Sequence, residues 1–166
     1  GGAYRRTPVA DALPVHVDGA SGDPPPDDGQ FRLALKREGW LDEIAGVYAQ
    51  CPYISNRWLD YPDELPSLRE NDGYFISCQQ AALLGSVYDP GRTHTEDPTC
   101  WASAATDVDL AGLPPHVISV NELDPLRDEG LLYYRRLLGA GISAVGRVVA
   151  GTCHGGDVLF PHAMPE

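Results

Sequence analysis

Two side chains of this 166-residue sequence stand where proton chemistry can be done. Asp124 comes just after the β-rich run His116–Asn121, and His154 comes just after the apolar run 144–150. A carboxylate hydrogen-bonded to an imidazole fixes which ring nitrogen carries the proton. The other nitrogen is then free to take a proton from a hydroxyl or thiol nucleophile. Plainer uses exist for both residues. Asp124 precedes Pro125 and suits a helix cap, and a histidine in the loop Thr152-Cys153-His154-Gly155 need touch nothing.

The elements that would position them follow from the local pattern. Asp124-Pro125 reads as the end of a strand and the start of a helix. Leu131, Tyr134 and Leu138 recur at helical spacing, and Gly139 and Gly141 close the helix. Residues 144–150 then form a second buried strand. Strand, helix, strand is a βαβ unit, and a helical crossover implies parallel pairing. The fold class expected is therefore α/β.

Other pairings of reactive residues are weaker. Cys153 and His154 are sequence neighbours, which point to opposite sides of an extended segment, so they make a poor catalytic pair. The histidines 16, 94, 116, 154 and 162 lack metal-ligand spacing, so no metal or cofactor is expected. Cys51, Cys78, Cys100 and Cys153 are widely spaced without a C-x-x-C pair and read as free, mostly buried thiols in a reducing, cytoplasmic setting.

The run Asn121-Glu122-Leu123-Asp124-Pro125-Leu126-Arg127-Asp128-Glu129-Gly130, a further strand and Cys153-His154-Gly155 resemble the C-terminal part of the hormone-sensitive-lipase-like group of α/β hydrolases. The similarity covers roughly residues 39–165. It implies the second half of an α/β-hydrolase fold, with a mostly parallel sheet of about four strands (13–17, 44–49, 116–121 and 144–150) and flanking helices. It also implies that Asp124 and His154 are the acid and base of a Ser-Asp-His triad.

In that family the nucleophile sits in a G-x-S-x-G elbow between a strand and a helix. Here Gly19-Ala20-Ser21-Gly22-Asp23 follows the possible strand 13–17 and keeps the first Gly and the Ser. Asp23 replaces the last Gly, and Pro24-Pro25-Pro26 resist a helix start. Locally, a Gly/Pro/Asp loop with an idle serine describes the segment better. The chain order Ser21, Asp124, His154 matches the family, and the 30-residue interval between acid and base fits one helix and one strand. The resemblance thus implies Ser21 as nucleophile and the Gly22 N–H as one oxyanion donor. Gly1-Gly2 could be a remnant of the family's upstream glycine loop, but without that loop's His they read more readily as an arbitrary fragment end. Residues 1–30 read as irregular or aberrant, with residues 22–29 a helix start overwritten by divergence, a frameshift or a wrong exon.

Composition narrows the partners. With 12 Lys+Arg against 24 Asp+Glu, the net charge of −12 disfavours nucleic acid, whose phosphates need positive charge. No run approaches the length of a membrane span. A phosphate-binding role for Gly19–Gly22 lacks an adjacent Lys. Further along, a helix is expected over residues 73–87 with Phe75, Cys78 and Ala82 on one face. An aromatic loop at 55–72 and a polar one at 89–113 would line the pocket. A final helix begins at Leu159. One partial domain over residues 1–166 is expected, acting on a small-molecule ester. The alternative is a non-catalytic remnant of the same fold that works, if at all, by binding.

Overall fold

The computed structural model describes residues 45–163, and everything below refers to them. Ser21, Gly22, the expected strand 13–17 and Gly1-Gly2 lie outside the described residues.

Three strands form one sheet: β1 (Val47–Gln50), β2 (His116–Asn121) and β3 (Ala144–Val149), in the order β1-β2-β3 with both pairings parallel. β2 falls on the expected bounds. β1 begins later than expected and runs one residue further, and β3 stops one residue short. The fourth expected strand is the one outside the described range. The register sets Gln50 beside Ser119 and Asn121 beside Val149, so the three strands deliver their C-terminal ends to one edge. Parallel sheets with covering helices place reactive loops at that edge.

Five short or medium helices accompany the sheet: α1 (Ser67–Glu70), α2 (Cys78–Tyr88), α3 (Asp107–Leu110), α4 (Arg127–Gly139) and α5 (Gly156–Leu159). α4 is the crossover between β2 and β3. Its fully buried Leu137 meets Ile118 and Val120 of β2, together with Leu110 and Ile142. Each such side chain contributes about 1.5–3 kcal/mol of burial. Leu138, expected on the covered face, is exposed, because the buried positions are Glu129, Gly130 and Leu137 instead.

A second core lies beneath the long insert between β1 and β2. Trp58 and Trp101 are both 1% exposed and cross edge-to-face at 5.6 Å, while Tyr53 stacks on Trp58 at 4.1 Å. Leu65, Leu68, Cys78 and Ala81 close around them. The insert is thus largely a packed body, and α1 and α3 lie in stretches expected to be loop.

The helix expected from residue 73 starts at Cys78. Ser77 and Gln80 form a reciprocal capping box there, and the Asp72 carboxylate accepts from the Cys78 N–H at 2.8 Å. These caps fix the start, leaving Phe75 outside the helix at φ +75°, its ring against Phe160. The covered face runs through Cys78, Ala81 and Gly85, with Ala82 half-buried against the same core. At the far end, the short α5 and a 3-10 turn at Pro161–Ala163 stand where one helix from Leu159 was expected. No helix among the described residues is long and apolar enough to cross a membrane.

Candidate active site

β2 ends at Asn121, and the chain turns at once through Glu122-Leu123 to Asp124. The turn is closed by the Asp124 N–H donating to the Asn121 carbonyl at 3.2 Å. Asp124 does not cap α4 directly, since that helix begins only at Arg127. One carboxylate oxygen accepts from the Leu126 N–H at 2.9 Å, a local Asx-type turn that fixes the side chain. The other oxygen meets His154 Nδ1 at 2.9 Å, across 30 positions of sequence. The Asp124 side chain is fully buried, and that of His154 is 28% exposed.

Polarity follows from the donors available. An ionised carboxylate only accepts, so Nδ1 carries the proton and donates to Asp124, leaving the Nε2 lone pair for chemistry. The half-exposed ring can therefore reach an incoming group while its partner stays dry.

The His154 loop is tied to β2 at several points. Leu123 N–H donates to the Thr152 carbonyl at 2.9 Å, and the Asn121 side-chain amide donates to the Cys153 carbonyl at 2.5 Å. Gly151 N–H donates to the Glu122 carboxylate at 2.7 Å. Gly155, at φ +63°, lets the chain reverse into α5 directly after the histidine, a conformation that L side chains seldom adopt.

Four residues around the pair have contacts that the sequence did not assign. Asn71, 4% exposed, donates through its amide to the carbonyls of both Glu122 and Asp124, at 3.0 and 3.1 Å. Asn121 holds the His154 loop. Glu129, 3% exposed, accepts from the Ile54 N–H and the Ser55 hydroxyl. Burial pushes its carboxyl up to about 7, against the pull of those two donors.

Cys51 is the fourth. It follows β1 at φ +44° and accepts from the Gly155 N–H at 3.4 Å. Burial pushes its thiol up to about 12; the Gly155 N–H acts the other way, and the negative charge of the nearby Asp124 carboxylate adds to the rise. Cys51 is thus a neutral thiol beside Asp124. Its Sγ, a carboxylate oxygen of Asp124 and a nitrogen of His154 all lie within 4.8 Å of one another, the one group among the described residues able to hold a metal ion. Histidine spacing alone could not reveal it, because the third ligand comes from the end of another strand.

The structure thus brings Asp124 and His154 into contact, and Ser21 and Gly22 lie outside the described residues. All four cysteines are free; Cys51 and Cys78 are buried, and Cys100 and Cys153 half-buried.

Comparison with known proteins decides the family. The family described as alpha/beta hydrolase fold matches residues 30–157. This chain belongs to the α/β-hydrolase-fold family. Among relatives of this α/β hydrolase, carboxylesterase NlhH of Mycobacterium tuberculosis is 40% identical over 127 residues, covering 68% of this chain and 39% of that protein. Esterase LipI of Mycobacterium tuberculosis is 33% identical over 122 residues, covering 67% and 38%. Among solved structures, brefeldin A esterase, described as a bacterial homologue of human hormone sensitive lipase, superposes with TM-score 0.73 at 53% identity. That match covers 76% of this chain and 36% of the other. Esterase Est22 superposes with TM-score 0.69 at 46% identity, covering 79% and 38%. The resemblance read from residues 121–130 and 153–155 is therefore shown. The chain spans about two fifths of the length of the curated relatives it matches.

Proposed function

We propose that this chain belongs to a carboxylic ester hydrolase in which Asp124 and His154 are the acid and base of a Ser-Asp-His triad. The 2.9 Å contact between buried carboxylate and half-exposed imidazole, at the C-terminal edge of a parallel sheet, carries this reading. Names of the relatives support the reaction class.

In the proposed mechanism His154 Nε2 takes the proton of the Ser21 hydroxyl as its oxygen attacks the ester carbonyl. Asp124 holds the ring in the required tautomer and stabilises the imidazolium that forms. The Gly22 N–H donates to the developing oxyanion. His154 then returns the proton to the departing alcohol, and water releases the acyl group by the same route. The substrate is a small ester, in keeping with a surface of net charge −12 that repels polyanions. Four free cysteines suit a reducing compartment such as the cytoplasm.

The second reading is a non-catalytic remnant that binds without turnover. Asp23 and the three prolines after it favour this, since they stand where an elbow needs Gly and a helix. Hydrolysis of a p-nitrophenyl ester by the purified 166-residue chain, with labelling by a fluorophosphonate, separates the two. Turnover abolished by Ser21→Ala and cut about 10⁴-fold by Asp124→Asn supports the triad. A folded chain with neither turnover nor labelling supports the remnant.

A further inference from the structure

The triad reading leaves Cys51 unused. It is a buried thiol whose sulfur sits beside both members of the acid–base pair, although it arrives from β1 while they follow β2 and β3. Thiol, imidazole and carboxylate together form the donor set of a thiophilic divalent cation of the zinc type, a poor one for magnesium or calcium. Tetrahedral bonds of the usual lengths to such donors put ligand atoms about 3.3–3.6 Å apart. Here all three lie within 4.8 Å of one another, and Asp124 and His154 already touch at 2.9 Å. Side-chain shifts of about an ångström would therefore close the site. The exposed part of His154 leaves a way in from solvent. Asp157, near Cys51, adds negative potential.

We propose that Cys51, Asp124 and His154 form a binding site for Zn²⁺ or Cd²⁺, and that occupancy of this site is incompatible with the proton transfer described above. Binding proceeds through Cys51 Sγ, His154 Nδ1 and an Asp124 oxygen. The thiol proton leaves to solvent as the metal–sulfur bond forms. The Nδ1 proton is replaced by one on Nε2, so the ring stays neutral overall. One dication, one thiolate and one carboxylate then balance, with a single proton released. Catalysis needs the opposite tautomer, Nδ1–H facing Asp124 with Nε2 bare. Metal and substrate chemistry thus compete for one imidazole. The inhibitory consequence rests on the esterase reading, but the binding itself does not.

The test is a Cd²⁺ titration of the metal-free 166-residue chain, followed by the sulfur-to-cadmium charge-transfer absorption, with Zn²⁺ competing. A band saturating at one cadmium per chain is expected. It should vanish in Cys51→Ser, persist in Cys153→Ser, and require at least about tenfold more metal in His154→Gln or Asp124→Asn. A full band in Cys51→Ser, or one lost in Cys153→Ser, overturns the proposal. Should Cys51→Ser fail to fold, the ¹⁵N resonances of His154 in the unaltered chain decide. They must move to those of an Nε2-protonated ring on adding Zn²⁺, and unmoved resonances sink the site. Where the chain turns over esters, Zn²⁺ should suppress turnover, a chelator should restore it, and Cys51→Ser should resist. Where it does not, the cadmium band and the resonances still judge the site independently.

Discussion

Ser55 and Glu129 meet at 2.5 Å in a buried contact spanning 74 positions, joining the loop after β1 to the first turn of α4. This is the same turn that follows Asp124, so the contact braces the base of the acid's loop. Burial raises the Glu129 carboxyl to about 7 from an ordinary 4.5, so the folded chain holds a proton that the unfolded chain has released. The sign follows: this group's stabilising contribution is complete below about pH 4.5 and is lost as pH rises toward 7. Glu129→Gln should flatten the decline in stability across that window. Urea midpoints measured from pH 4.5 to 8 check it, and an unchanged slope in the variant would refute the assignment.

Asn71 serves the same loop from the other side. Its amide donates to the carbonyls of Glu122 and Asp124; the Glu122 carbonyl also accepts from the Arg127 guanidinium at 3.1 Å, so the buried Asp124 carbonyl is the one that depends on Asn71. Asn71→Ala should cost about 1–3 kcal/mol, the usual penalty for a stranded buried acceptor. Asn71→Asp should cost more, because an acceptor then faces two acceptors. Thermal unfolding ranks them, and faster hydrogen exchange at the Asp124 amide in both variants would show that the loss is local to this loop.

How much of this was legible beforehand depends on sequence distance. β2 was readable because His116–Asn121 is a short β-branched run closed by an Asp-Pro signal, and the βαβ unit then placed Asp124 and His154 at one edge. The start of α2 lies five residues beyond the expected 73, although Asn71-Asp72 just before that position have the residue types of a cap. Asp72 does accept from the first turn, but it reaches forward over a loop, and Ser77 with Gln80 makes the cap proper. Asn71 meanwhile turns away to residues 122 and 124, which no local pattern encodes. Cys51 was read only as a buried thiol, since its partners lie 73 and 103 positions away. Leu138 fits the helical period, but its neighbour Leu137 takes the core position at that turn, and two turns earlier Gly130 serves by close approach.

That close approach gives a sharp contrast between two glycines of one helix. A Cβ on Gly130 would lie 2.6 Å from Val120 Cγ1 and 3.0 Å from Pro52 Cγ, both in rigid surroundings. Gly130→Ala should therefore destabilise by about 1–3 kcal/mol through overpacking. A Cβ on Gly139 meets nothing within 4 Å, and its φ is not positive. Gly139→Ala should stabilise by about 0.4–1 kcal/mol by restricting the unfolded chain. Chemical denaturation of the two variants side by side reads the opposite signs, and equal effects would contradict the packing described here.

Asp89 offers a test in acid. Its side chain is fully buried after α2, accepting from the Trp101 indole at 3.1 Å and from the His94 N–H at 3.1 Å. Burial alone would raise this carboxyl, but the hydrogen bonds from Trp101 and His94 outweigh burial and hold it below its ordinary 3.8. A lowered carboxyl stabilises above its unfolded value and loses that contribution as pH falls through the folded one. The window lies below about pH 4, clear of the one governed by Glu129. Asp89→Asn keeps the shape but turns an amide donor toward donors, so a loss of about 2–3 kcal/mol is expected at pH 7. The gap between variant and parent should narrow as pH falls below 4, because the parent then loses the charge that the variant never had. Urea midpoints at pH 7 and pH 3 measure both, and a gap that widened in acid would mean the Asp89 carboxylate is not what holds Trp101 in place.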